Sequence, residues 1–233
     1  MRVLCIIQAR SGSTRLPGKI FRSLPDGRPM LSWVIERARA IRRADDVIMA
    51  VPWADFTAAE EAKALGCSVA YGSAAKLLDG RNDVLRRYWM AAHEYGLQAS
   101  DLVVRLTSDC PLFDPEVADL VILRALAGAF FVDNTRPGVD GLDVEAFPVH
   151  VLDLANREVI GLEDRHHVTP WMRRQEGRVH VSYYEHYEAR LAVSVNTVED
   201  LERVRAIAAH LKPQTYAFAE TLVAARQAGM LRD

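Results

Sequence analysis

Short uninterrupted apolar runs alternate with stretches whose apolar residues recur every three to four positions, from the start of the chain to about residue 132. The run Arg2–Gln8 (RVLCIIQ) stays apolar until its last residue, the mark of a strand covered on both faces. Asp46–Val51, Ser68–Tyr71, Asp101–Leu106 and the start of a run at Phe130–Val132 read the same way. Between the first two runs, Leu31, Val34, Ile35, Ala38 and Ile41 fall at helical spacing behind Pro29, a residue suited to a first helical turn. Asp55 caps a second helix that Gly66 ends, Asp83–Tyr95 forms a third closed by Gly96, and Asp114-Pro115 opens a fourth that runs to about Leu126. Strand and helix in turn predict an α/β fold with a mainly parallel sheet and right-handed crossovers.

The rhythm changes after Asn134. Arg136–Phe147 reads as a loop with two glycines and a proline, and Val179–Glu185 and Leu191–Val195 as two further strands. Thr197 (Thr-Val-Glu-Asp) caps a following helix, and a last helix begins near Thr215. No repeat, low-complexity segment or linker divides the chain, so residues 1–233 read as a single domain with a subregion at 136–190.

Composition narrows the classes. Lys and Arg total 29 against 31 Asp and Glu, a formal charge of −2, which lacks the basic excess of a dedicated nucleic-acid binder. No apolar run approaches the roughly 20 residues of a membrane span, because Asp119 and Arg124 interrupt the most apolar helix. The N-terminus has no basic leader with a cleavage site, and the three cysteines (Cys5, Cys67, Cys110) form no C-x-x-C pair. Both point to a cytoplasmic protein with reduced thiols.

Candidate chemistry concentrates behind the first strand, in Gln8-Ala9-Arg10-Ser11-Gly12-Ser13-Thr14-Arg15-Leu16-Pro17-Gly18-Lys19. Backbone N–H groups beside glycines, three hydroxyls and the cations Arg10, Arg15 and Lys19 at a parallel-strand end suit a polyphosphate. It is neither a Walker A loop, since Ile20 follows Lys19, nor a G-x-G-x-x-G fingerprint. Asp109 is a single carboxylate just past the fourth strand and before Cys110-Pro111, a place that suits an Mg²⁺ ligand ahead of an ordinary turn residue. Asn82 and Asp83 open the third helix as caps. His166-His167 lacks metal-site spacing, as do the other histidines, so no zinc site is expected. Tyr183, Tyr184 and Tyr187 suit strand packing or a subunit interface.

The run IIQARSGSTRLPGK resembles the opening of the cytidylyltransferases that activate sugars as CMP conjugates, closest to the spore coat polysaccharide biosynthesis protein F branch. The resemblance continues in order through Gly80–Tyr95, Val104–Leu112 (VRLTSDCPL), Gly141–Phe147 (GLDVEAF), Arg165–Trp171 (RHHVTPW) and Val193–Leu201 (VSVNTVEDL). It implies a three-layer nucleotide-diphospho-sugar transferase-like α/β fold. The implied reaction is CTP plus a sugar or sugar-acid acceptor giving a CMP-linked product and pyrophosphate, for surface glycan precursors. In that reading Ala9, Arg10, Gly12, Ser13, Thr14, Arg15, Lys19, Asp83 and Asp109 bind the nucleotide, and Lys19, Arg15, Arg10 and Asp109 carry catalysis. The resemblance implies, besides, a nucleoside contact in the neighbourhood of Asn82 and Asp83, with Arg81 or Arg105 as candidates for the base edge. Asp143, Glu145, Arg165, His166 and His167 contact the acceptor, Asp109 and Asn196 bind Mg²⁺, and 136–190 is the homodimer contact.

Two departures accompany the resemblance. Asn196 stands where sugar-acid members carry a second metal-binding Asp, and His166 where the family's Arg-Glu-His-Val run has Glu. A glycosyltransferase would want a D-x-D motif, and Thr107-Ser108-Asp109-Cys110 offers one Asp. The remaining alternatives are a cytidylyltransferase for a non-sugar phosphate or phosphonate, and a CTP-binding paralogue without turnover.

Overall fold

The computed structural model describes residues 1–74, 76–135, 139–183, 191–212 and 214–231. Four of the five predicted strands lie side by side as β1 (Val3–Gln8), β2 (Asp46–Val51), β3 (Ser68–Tyr71) and β4 (Leu102–Thr107). They run parallel in the order β3-β2-β1-β4, with Ile6 of β1 opposite Arg105 of β4 and Gln8 opposite Thr107. The sheet continues through β7 (Glu145–Pro148), antiparallel to both β4 and β5 (Phe131–Asp133), to β8 (Arg178–His180), which is parallel to β5.

Successive residues of a strand face opposite sides, and the central strands feed two separate cores. Cys5, Ile7, Met49 and Val104 pack under α1 (Met30–Arg39), α2 (Phe56–Ala64) and α4 (Pro115–Leu126). Leu4, Ile6, Val103 and Phe147 pack under α3 (Val84–Glu94) and α5 (Val149–Glu158). Burying each such side chain contributes about 1.5–3 kcal/mol, which is why the strands are apolar throughout rather than alternating. The mainly parallel α/β sheet expected from the rhythm, and the three layers implied by the resemblance, are observed.

A third core joins the two ends of the chain. Leu16, Leu24 and Met30 meet Val193, Val195, Leu201 and Phe218, carried by β9 (Leu191–Ala192), α8 (Val198–Ala208) and α9 (Phe218–Gln227). Thr197 closes a reciprocal capping box with Asp200, as the sequence predicts. β9 pairs in parallel with β6 (Val139–Asp140). There Gly141, at φ 93°, passes so close to the facing backbone that a Cβ would sit 2.2 Å from the Ser194 nitrogen.

The region after Asn134 departs from the prediction. The expected loop 136–147 contains β6 and β7, and α5, α6 (Leu162–His167) and α7 (Pro170–Arg173) follow. Of the two late strands, β8 stops at His180 and β9 covers Leu191–Ala192 only; residues 184–190, with Tyr184 and Tyr187, lie outside the described residues. Tyr183 packs against the third core. All three cysteines are free and buried. Among the described residues no helix is long and apolar enough to cross a membrane.

Candidate active site

A pocket of about 260 Å³ opens over the carboxyl ends of β1 and β4. Larger hollows of about 430 and 520 Å³ lie elsewhere, under α1 beside Tyr216 and between Arg42 and Leu123. Neither touches the loop after β1. The smaller pocket has two walls of different character.

One wall is that loop. The Ser11 amide donates to Asp55 Oδ2 at 2.7 Å, so the residue that caps α2 also anchors the loop. Ser13 and Gly18 amides return to the Ser11 carbonyl, and Gly18, at φ 65°, turns the chain into a single 3-10 turn at Lys19–Phe21. Among the described residues the amides of Arg10, Gly12, Thr14 and Arg15 keep no protein acceptor. Ala9, Arg10, Ser13, Thr14, Arg15 and Lys19 all line the pocket. Gly12 lines an adjoining hollow of about 340 Å³ that shares Arg10 and Asn82 with it.

Lys19 is the centre of this wall. Only 9% exposed, its ammonium donates to Asp109 Oδ2 at 2.8 Å and to the Val195 carbonyl at 2.9 Å, with Asn196 Oδ1 at 3.5 Å. Arg15 donates to the same Asn196 oxygen at 2.8 Å. Burial works to raise the Asp109 carboxyl, but the Lys19 ammonium outweighs it and holds the group below the usual carboxylate range. Asp109 is therefore ionised, and the third core delivers Val195 and Asn196 to complete the arrangement.

The opposite wall comes from the α3 face of the sheet. Gln8 and Arg105 share the strand parity of Leu4, Ile6 and Val103 and so point toward α3, whose Arg87 lies over them. Arg87 is 2% exposed and makes no salt bridge among the described residues. Burial lowers its guanidinium to about 10, still charged at neutral pH. Gly72 makes room for it: a Cβ there would lie 2.8 Å from Arg87 Cγ. His166 and His167 of α6 close the rim. His166 Nδ1 meets the Asn82 carbonyl at 3.2 Å, and burial lowers the imidazole below its ordinary value, so the ring is neutral with Nε2 left as an acceptor. His167 Nε2 lies 3.3 Å from Glu163.

Other expected contacts are differently employed. Glu145, expected to touch the acceptor, is a fully buried residue of β7 and does not line the pocket. It accepts from Arg105 at 2.6 Å, Thr169 at 2.8 Å and Arg173 at 2.6 Å, and these cations keep it ionised against the upward push of burial. Arg165 is likewise committed, to Asp83 and to the carbonyls of Asn156 and Val159. Asp83 caps α3 through the Arg86 amide and holds Arg165, so its carboxylate is occupied. Asp143 lies outside the pocket lining, half-buried, with its carboxyl pushed up to about 6 by burial and then by Glu145. Glu145 and Arg165, expected at the acceptor, are thus engaged in structural pairs, and Asp83 caps α3 as the sequence predicts while also holding Arg165. Arg87 and Gln8 were missed. The signal was present for Arg87, which falls three residues after Val84 and four before Ala91, on the apolar stripe of its helix.

The implied Mg²⁺ can be tested against this donor set. Asp109 is the only carboxylate lining the pocket, and no cluster of three His, Cys, Asp or Glu side chains among the described residues could hold a metal. That fits an ion taking one protein carboxylate and drawing its other oxygens from phosphates and water, as Mg²⁺ does. Asp109 Oδ1, which accepts only a long contact from the Cys110 thiol at 3.7 Å, is the oxygen more open to it, since Oδ2 binds Lys19. Asn196 fits poorly as the expected second ligand, because its Oδ1 already accepts from Arg15.

A polyphosphate-binding loop, one ionised carboxylate and a polar second wall at the end of a parallel sheet describe a nucleotidyl-transfer site, and comparison with known proteins agrees. Spore coat polysaccharide biosynthesis protein SpsF of Bacillus subtilis is 28% identical over 218 residues, 88% of this chain and 85% of that protein. A 3-deoxy-manno-octulosonate cytidylyltransferase of Anaeromyxobacter is 34% identical over 136 residues, 58% of this chain and 52% of that one. A solved cytidylyltransferase of Leptospira borgpetersenii superposes with a TM-score of 0.86 at 27% identity, covering 97% of this chain and 94% of its own. The cytidylyltransferase family model matches residues 4–228, and the chain belongs to that family.

Proposed function

We propose that this cytidylyltransferase transfers CMP from CTP to a hydroxyl of a sugar-acid acceptor, with Mg²⁺, and releases pyrophosphate. The observation that carries this reading is the convergence of Arg10, Arg15 and Lys19 on one pocket beside ionised Asp109. The likeness to a relative named for an octulosonate supports the acceptor class. The nucleoside would occupy the adjoining hollow reached across Arg10 and Asn82. The enzyme would work as a cytoplasmic homodimer with its contact in 136–190.

In the step, the acceptor oxygen forms a bond to the α-phosphorus and the bond from that phosphorus to the pyrophosphate oxygen breaks. Negative charge gathers on the departing oxygens, where Lys19, Arg15 and Arg10 stabilise it without needing to reorganise. The hydroxyl proton must leave, and His166 Nε2 is the neutral imidazole nitrogen placed to take it. Mg²⁺, held by Asp109, would add Lewis-acid neutralisation of the phosphates.

Melting temperature and pyrophosphate release measured with CTP, UTP, ATP, GTP and dTTP, with and without Mg²⁺, test the reading. CTP at 100 times its Kd stabilises by about 2.7 kcal/mol. CTP-selective stabilisation with acceptor-dependent release is expected. Equal response to all five nucleotides would refute it.

A further inference from the structure

The wall of the pocket formed by β1, β4 and α3 holds polar atoms that the phosphate chemistry leaves unused. Gln8, Arg87 and Arg105 line the same pocket, and each carries a buried polar atom (Gln8 Oε1, Arg87 Nη1, Arg105 Nε) without a hydrogen-bond partner. Buried polar atoms are nearly always paired, so a group left unpaired in a pocket marks what a ligand is built to meet. Three such atoms from three different elements converge here. Arg87, 2% exposed, comes to that place because Gly72 has no side chain to obstruct it.

We propose that Gln8, Arg87 and Arg105 are the residues that select the acceptor, and that they read a carboxylate with a hydroxyl beside it. The proposal rests on the CMP-transfer reading and deepens it.

The charges call for an anion. Arg105 shares the Glu145 carboxylate with Arg173, while Arg87 has no salt bridge among the described residues. The wall therefore keeps positive charge that its own acids do not cancel, which an anionic acceptor would offset. The donor pattern points the same way. Arg87 and Arg105 each offer an N–H, matching two carboxylate oxygens. Gln8 Oε1 is an acceptor and requires a donor, which a neighbouring hydroxyl provides and an all-acceptor phosphate does not. The triphosphate has its own three cations on the loop wall, so the two walls divide nucleotide from acceptor.

The full-length protein, saturated with CTP and Mg²⁺, would be titrated with gluconate, glucuronate and 3-deoxy-manno-octulosonate, and with neutral glucitol and glucose. Melting shift reports binding and pyrophosphate release reports turnover. The acids should raise the melting temperature of the CTP complex and the neutral sugars should not. In Arg87→Met the acid preference should vanish, with acid affinity down on the order of 100-fold while CTP Kd stays within about twofold. Without ligand this variant should melt at or above the wild type, because it removes an unpaired buried cation. Arg87→Lys should restore part of the acid affinity through charge alone. Gln8→Leu, an independent arm, should weaken acids that carry an α-hydroxyl and spare those that lack one.

An acid preference that survives in Arg87→Met, or is absent from the wild type, would overturn the proposal. So would a CTP Kd weakened by about tenfold or more in Arg87→Met, which would assign the wall to the nucleotide, or a melting temperature several degrees below wild type, which would make Arg87 structural. Failure of CTP to stabilise the wild type, or of any acceptor to release pyrophosphate, would instead strike the CMP-transfer reading.

Discussion

Two groups of charged side chains flank β4, and they are built from the same residue types for opposite ends. On the loop side, Arg10, Arg15 and Lys19 line an open pocket and share one carboxylate, Asp109. Beneath β7, Arg105 and Arg173 close on Glu145, and Arg178 and His180 close on Asp133, both acids with no exposed surface. The first group faces an open pocket with three cations around one acid. In the second, each buried acid is bound by two basic side chains, and the group fastens β4, β7, β5 and β8 to one another. Function here is marked by what remains unpaired, not by how many charges gather.

The sharpest way to break that contrast is Glu145→Gln. It leaves two guanidinium groups facing a neutral amide in a buried place, and removing one partner of such a pair costs about 3–5 kcal/mol. Chemical denaturation should show that loss, and a cost below 1 kcal/mol would contradict the role given to Glu145. Lys19→Ala should cost less stability than Glu145→Gln, because Asp109 is part-exposed where Glu145 is fully buried, but should slow pyrophosphate release by on the order of 10²–10³. Turnover at the wild-type rate would remove Lys19 from the catalytic wall.

Asp143 sharpens the comparison, because it is an acid near the second group that lacks a cation of its own. Burial and Glu145 raise its carboxyl to about 6. Between its unfolded value near 3.8 and that raised value the folded protein binds the extra proton, so its contribution to stability falls as pH rises through this window and stays low above it. Asp143→Asn should therefore gain about 3 kcal/mol at pH 7.5 and almost nothing below pH 4. Melting curves at the two pH values test the sign. The smallest effect belongs to Asn196→Asp, which adds a second carboxylate beside Asp109. Mg²⁺ should then be needed at several-fold lower concentration, about 1 kcal/mol in binding. An unchanged Mg²⁺ titration would separate position 196 from the metal.

Legibility in the sequence followed the same division. β2 and β3 were read to the residue, and the loop after β1 was recognisable, because both signals are local: an apolar run between turn residues, and cations beside glycines at its end. β7 was hidden. Glu-Ala-Phe-Pro looks like acidic loop until Arg105 and Arg173, 40 and 28 residues away, are seen to neutralise Glu145. The Arg165–Asp83 pair is hidden for the same reason, since it spans 82 positions, whereas the Asp83 cap is local and legible. Gln8 opens the candidate loop in the sequence, and only the spacing of Arg87 on the apolar stripe of its helix hints that it is buried.

The Lys19 ammonium is held by Val195 from 176 positions further along the chain. During synthesis, then, the first thirty residues carry the phosphate-binding loop long before its counterpart exists. Residues 195 and 196 follow directly on the β6–β9 ribbon and its close passage at Gly141. A chain stalled before β9 would carry a loop without a closed pocket. The wall around Lys19 is thus complete only once the late residues 195 and 196 exist, and a working pocket reports on a chain made almost to its end.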